Sequence, residues 1–188
     1  MSTPPLRKDA ARNWQLIVDT GRRFVNEGVP LQLNEVARAA PVGVATVYRH
    51  FPTPEALLET IATPSLEALI AHAERALADD DPWRAFSGYL VAALDAQLDD
   101  PSMQPALATA RHVLPRTDEL LERLNALSGR LLDRARDAGL IHPEVTQADM
   151  IPLLCGVIYA VRVRAGAEDR RAVTRRYLEI MLTGLRRG

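Results

Sequence analysis

A chain of 188 residues, 47% apolar and 25% charged, can hold one helical body or a small domain joined to a larger one, and it needs no disulfide to fold. Its single cysteine, Cys155, excludes an internal disulfide and a thiolate metal cluster and points to a reducing, cytoplasmic setting. The net charge of -1 excludes a histone-like polycation: residues 1–56 carry seven Arg and Lys against five Asp and Glu, the remainder sixteen against nineteen, so a nucleic-acid partner has to be argued from a motif.

Residues 1–11 are polar and prolyl where the apolar core of a signal peptide would lie. The most apolar stretch, 150–161, is too short to cross a bilayer and contains Pro152 and Gly156, so a soluble protein is expected. No period-two alternation is sustained, so no strand is predicted and the fold class is all-α. The first helix spans about 9–27, with Trp14, Ile17, Val18, Gly21, Phe24 and Val25 on one stripe and Gly28 as its stop. A short second helix turns Leu33, Val36, Ala37 and Ala40 inward. The third places Val44, Val47 and Phe51 at i, i+3 and i+7 as anchors, which leaves Ala45, Thr46, Arg49 and His50 pointing elsewhere. Beyond it, Thr53-Pro54, Thr63-Pro64, Asp81-Pro82 and Asp100-Pro101 announce helix starts, since proline suits a first turn and the preceding oxygen caps exposed amides. Helices are predicted near 54–62, 65–79, 82–99, 103–112, 116–138, 146–165 and 168–186, the first two joining into one if the chain continues through a kink at Pro64.

A short helix, a tight turn at Pro41-Val42-Gly43 and a second short helix, packed on a longer first helix, form a helix-turn-helix. The run Val44-Ala45-Thr46-Val47-Tyr48-Arg49-His50-Phe51-Pro52-Thr53, followed by Glu55-Ala56-Leu57, resembles the TetR/AcrR family of bacterial transcriptional regulators, and the resemblance extends over roughly the first sixty residues. It implies a three-helix, homeodomain-like DNA-binding domain at 1–56 and a larger helical domain at 57–188 that binds a small molecule and dimerises. Tyr48 is assigned by resemblance to a phosphate, and Thr46 and Arg49 are the base-edge candidates. Gln32, Gly43, Val44, Ala45 and His50 complete the expected DNA surface, with Arg7 and Lys8 reaching neighbouring phosphates. Three positions depart from the family pattern. Pro41 stands where a turn glycine is usual and its ring opposes positive φ, so the turn is expected to differ. Gly43 replaces a capping serine, and Pro54 replaces a basic residue.

In the larger half, the stretch 151–161 is apolar on nearly every face, which predicts burial on all sides, with Gly156 and Ala160 allowing close helix approach. Tyr177, Leu178, Met181, Leu182 and Leu185 form a stripe on the last helix. By resemblance the last two helices pair with their symmetry mates in a homodimer, and two reading heads have to stand about 34–36 Å apart on an operator. His72, Trp83, Phe86, Tyr89, Met103, His112, Cys155 and Tyr159 are the candidate pocket residues for a small hydrophobic effector. Repression of an inverted-repeat operator on double-stranded DNA is the family's usual mode. A helical-bundle enzyme is disfavoured because the four histidines fall on different elements, with no zincin or paired carboxylate–histidine spacing and no phosphate loop. No catalytic residue, metal or cofactor is predicted. An adaptor whose helix-turn-helix binds protein remains the alternative that a gel shift separates.

Overall fold

The computed structural model describes residues 5–109, 111–164 and 170–187, with side chains from Asp9 onward in the first helix. Nine helices occur among the described residues: α1 Pro5–Asn26, α2 Leu33–Ala39, α3 Val44–His50, α4 Pro54–Leu77, α5 Pro82–Asp99, α6 Met103–Ala108, α7 Pro115–Asp137, α8 Gln147–Arg164 and α9 Arg170–Leu185. No described helix is long and apolar enough to cross a membrane. The chain divides into two compact units, one of Met1–Pro64 with Asp100–Asp118 and one of Ser65–Asp99 with Glu119–Gly188.

The four announced helix starts behave differently. Thr53 Oγ1 accepts from the Ala56 amide at 3.2 Å, and Asp81 Oδ1 accepts from the Trp83 and Arg84 amides, so both cap as expected. Asp100 instead closes a turn on the Ser102 amide, and α6 begins after it at Met103. Thr63-Pro64 starts nothing: α4 runs through it, with Thr60 and Thr63 donating their hydroxyls back to the Ala56 and Glu59 carbonyls. Arg22 Nη2 donates to the Ile61 carbonyl at 3.1 Å, next to the Thr60 carbonyl that Pro64, lacking an N–H, leaves without its helical donor.

Three helices end in the same reverse turn, a left-handed residue followed by a bond back across six residues. After α1, Gly28 (φ +69) donates to Val25 and Val29 to Phe24; after α7, Gly139 (φ +71) donates to Arg136 and Leu140 to Ala135. After α2 the left-handed position belongs to Pro41, at φ +24, and Val42 donates to Ala37 at 3.2 Å. The turn therefore keeps its positive φ, against the expectation that proline would refuse it. Lacking an N–H, Pro41 cannot make the second bond, the one a glycine would send to the Arg38 carbonyl.

In the first unit α1, α2 and α3 pack on one another around Ile17, Val18, Val36, Val47, Phe51, Leu57 and Ile61. Gly21 lets this packing close up, since a Cβ there would sit 3.0 Å from terminal side-chain carbons of both Leu57 and Ile61, which would have to give way by a few tenths of an ångström. In the second unit α8 packs against α5 and α9. Arg134 closes α4 by donating to the Leu77 and Asp79 carbonyls, a cation at the negative end of a helix.

Candidate nucleic-acid interface

Helix α3 is seven residues long, too short to hold its shape alone, so its direction is set by what it buries. Val47 is fully buried and Phe51 is 3% exposed, with the Phe51 ring 6.2 Å from Trp14 of α1. Burying two such side chains stabilises the docked position by roughly 1.5–3 kcal/mol each. Ala45 and Arg49 are exposed, and Val44 and Tyr48 keep 47% and 45% of their surface, so these four share one outward arc. Val44 thus corrects the expectation that it anchors α3: it lies on the outward side, where only Val47 and Phe51 hold the helix. Thr46 is half-buried at one border of the arc.

His50 was expected on the reading face as well, and it is turned partly inward. Its Nε2 is enclosed without a partner and its ring lies 6.4 Å from that of Phe51, because its position borders the buried side of the helix. Arg49 and Tyr48 have no ion-pair or hydrogen-bond partner among the described residues, which leaves both polar ends available to an outside ligand. Gln32 is exposed at the start of α2, with no side-chain cap bond, and Gly43 opens α3 at φ -58 without a side chain to cap it. The side chains of Arg7 and Lys8 lie outside the described residues.

The described geometry is a helix-turn-helix with an anchored second helix and a small polar and apolar outward arc. A profile described as bacterial regulatory proteins of the tetR family matches residues 17–61, and one described as the C-terminal domain of SbtR-like transcriptional regulators matches 81–187. The chain belongs to the TetR family of transcriptional regulators. An HTH-type transcriptional regulator of Staphylococcus aureus (strain MRSA252) is 29% identical over 80 residues, 41% of this chain and 42% of that protein. The crystal structure of a TetR regulatory protein from Mycobacterium vanbaalenii is 28% identical, covering 97% of this chain and all of the other, with a TM-score of 0.52. TetR regulator SCO0520 from Streptomyces coelicolor is 28% identical over 92% of this chain and 98% of its own, with a TM-score of 0.56.

Of the eight candidate pocket residues of this TetR regulator, six belong to one unit, the second, and Met103 and His112 to the first. Phe86 and Tyr89 are core, His72 and Cys155 half-buried, and Trp83 lies beneath Arg186, 5.0 Å from the guanidinium carbon, in a shallow cleft with Leu182. Tyr159 is 69% exposed and so points out of the chain rather than into it. The stretch 151–161 is likewise not buried on all sides: Leu154, Ile158 and Val161 face inward, while Leu153 and Tyr159 are exposed and a Cβ on Gly156 would meet nothing within 4 Å.

One cluster escaped sequence reasoning. Glu59 of α4 is buried, and its two carboxylate oxygens accept from the Val113 amide at 2.8 Å, the Leu114 amide at 2.9 Å and the Thr117 hydroxyl at 2.8 Å. A residue more than fifty positions away therefore holds the entry to α7, where Leu114 stands at the position that a capping Ser, Thr, Asp or Asn would occupy. Beside it His112 Nδ1 lies 2.7 Å from Asp118 Oδ1 and Nε2 lies 2.9 Å from the Ala106 carbonyl. Both partners accept, so both ring nitrogens carry protons when both bonds form. Burial opposes that charge as the largest single influence, but the Ala106 carbonyl, Asp118 and Glu59 together outweigh it and raise the His112 pKa above its ordinary 6.5. Helix α6 ends at Ala108, short of the expected 112, and the Ala106 carbonyl in its last turn is the one that faces the ring. The available signal was a carboxylate at an inward position of α4, among Ala56, Leu57 and Ile61.

Proposed function

We propose that this TetR regulator is a repressor that binds an inverted-repeat operator as a homodimer and leaves it when a small effector occupies its helical domain. The observation that carries the reading is the outward arc of α3, where Tyr48 and Arg49 project beside buried Val47 and Phe51. In this reading residues 1–56 form the reading head, with Tyr48 on a phosphate and Arg49 and Thr46 at base edges. Gly43, Val44, Ala45, Gln32 and His50 flank the contact, and Arg7 and Lys8 add phosphate contacts. Residues 57–188 dimerise through α8 and α9, whose exposed Leu153, Tyr159, Val163 and Ile180 are apolar surface a symmetry mate would cover. The protein acts in the cytoplasm, where its operator is. Because α4 and α7 both continue from the first unit into the second, the Glu59 clasp joins the two helices through which effector binding would reach the head.

Footprinting on DNA flanking the protein's own coding region, at two salt concentrations, tests the reading. A protected inverted repeat whose affinity falls steeply with salt is expected. Arg49→Ala should weaken binding by about 10- to 100-fold, equivalent to roughly 1–3 kcal/mol, with unchanged thermal stability. Unchanged affinity of that variant, or no protected repeat, refutes it.

A further inference from the structure

We propose that Val44 and Ala45 of α3 read the C5 methyl group of a thymine in each operator half-site, so that an A·T pair near the base pair met by Arg49 is part of the sequence this chain recognises. The contact presupposes the reading head proposed above and adds the identity of a base to it. Val44 keeps 47% of its surface and Ala45 is exposed, so α3 turns two aliphatic side chains outward while Val47 and Phe51 fill the core. At about 100° per residue the outward side runs in the order Val44, Tyr48, Ala45, Arg49. Ala45 therefore stands between the side chain placed on a phosphate and the one placed at a base edge, and Val44 borders Tyr48 on its other side. Gly43, which opens the helix, carries no side chain to hold this surface away from the bases.

The chemistry of the two side chains selects the base. An aliphatic group neither donates nor accepts a hydrogen bond, and among the base edges of the major groove only thymine presents a methyl group for it to cover. A polar base edge pressed against valine or alanine would lose water without gaining a partner, which disfavours guanine, adenine and cytosine at that position. A thymine methyl meeting Val44 instead removes apolar surface of both groups from water. Val44 and Arg49 are five positions apart in the chain. Along the helix axis that is about 7.5 Å, or about two base steps, so the thymine lies within about three base pairs of the one Arg49 meets.

Affinity of the full chain for the footprinted repeat, with deoxyuridine replacing each thymidine in turn, tests the contact. Deoxyuridine keeps the pairing and the O4 acceptor of thymidine and lacks only the C5 methyl. One position in each half-site should lose about fourfold on that change, the effect of one buried carbon group, while the other thymidines change by less than about twofold. The Val44→Ser, Ala45→Ser double variant is altered only at exposed positions, so it should melt like the wild type and bind the thymidine and deoxyuridine repeats equally. A thymidine preference that survives in that variant belongs to the shape of the DNA and overturns the proposal, as does a repeat indifferent to deoxyuridine at every position. Absence of any protected repeat sinks the reading head and this contact with it. A protected repeat without methyl dependence leaves the head standing and removes the contact alone.

Discussion

The first unit holds two segments against its long helices by unlike means. Helices α2 and α3 are docked by hydrocarbon: Val36, Val47 and Phe51 meet Ile17, Leu57 and Ile61, with no polar side chain needed to orient them. The segment from Asp100 to Asp118 also buries Met103 and Ala106, but its placement is specified by charge. Glu59 clasps the start of α7, Arg22 reaches Asp100 at 3.9 Å, and His112 bridges Ala106 and Asp118. Hydrocarbon burial is indifferent to protons and nearly so to geometry. A clasp of charged hydrogen bonds works in one arrangement and one protonation state, and leaving it half-made costs more than never making it. A reading helix is therefore held in one direction, while the segment beside it is held conditionally.

The contrast can be broken most directly at Phe51. Phe51→Ala should cost about 3–5 kcal/mol in urea unfolding and abolish operator binding through loss of the head's fold. A loss under 1 kcal/mol would mean that α3 is held by something other than its anchors. Next in size, Glu59→Gln puts an amide group against backbone N–H donors and should cost about 1.5–3 kcal/mol, with hydrogen exchange rising at Val113 and Leu114 while the amides of α3 stay protected. Equal deprotection of α3 would show the two attachments to be one.

The proton dependence sharpens the comparison further. Because the folded state raises the His112 pKa, its contribution is complete below the ordinary value of 6.5 and is lost as pH rises through the raised value. The stability gap between wild type and His112→Ala, about 1 kcal/mol at pH 6, should shrink as pH increases; a gap that grows would reverse the assigned sign. The smallest effect concerns the turn of the hydrocarbon-docked pair. Pro41→Gly restores the missing N–H and removes a φ that the pyrrolidine ring opposes, against the greater freedom of glycine in the unfolded chain. A net gain of roughly 0.5–2 kcal/mol is expected by thermal melting, with hydrogen exchange of α3 unchanged. Destabilisation would mean that the ring itself packs usefully.

Much of the head was readable before any coordinates. Apolar periodicity placed α1, α2 and α3, and Val47 and Phe51 as anchors left Arg49 outward because a helix repeats every ~3.6 residues and buries one side. The inward Nε2 of His50 and the exposure of Val44 were not readable, since both lie at the border of that side, where a small rotation decides. Thr63-Pro64 looked like a helix start because local pairs report what a segment can do alone. Packing on α1 and the Arg22 donor let α4 run through it.

The all-helical class and the anchoring of the reading helix by Val47 and Phe51 followed from residue order, because each depends on neighbours within two turns. The Glu59 clasp, the charge on His112 and the outward face of α8 were decided only by tertiary structure. The clasp joins groups more than fifty residues apart, the charge on His112 depends on a turn of the chain that sets Ala106 and Asp118, each six residues away, at its two ring nitrogens, and the face of α8 depends on which side of a uniformly apolar helix finds a partner; sequence periodicity carries none of this.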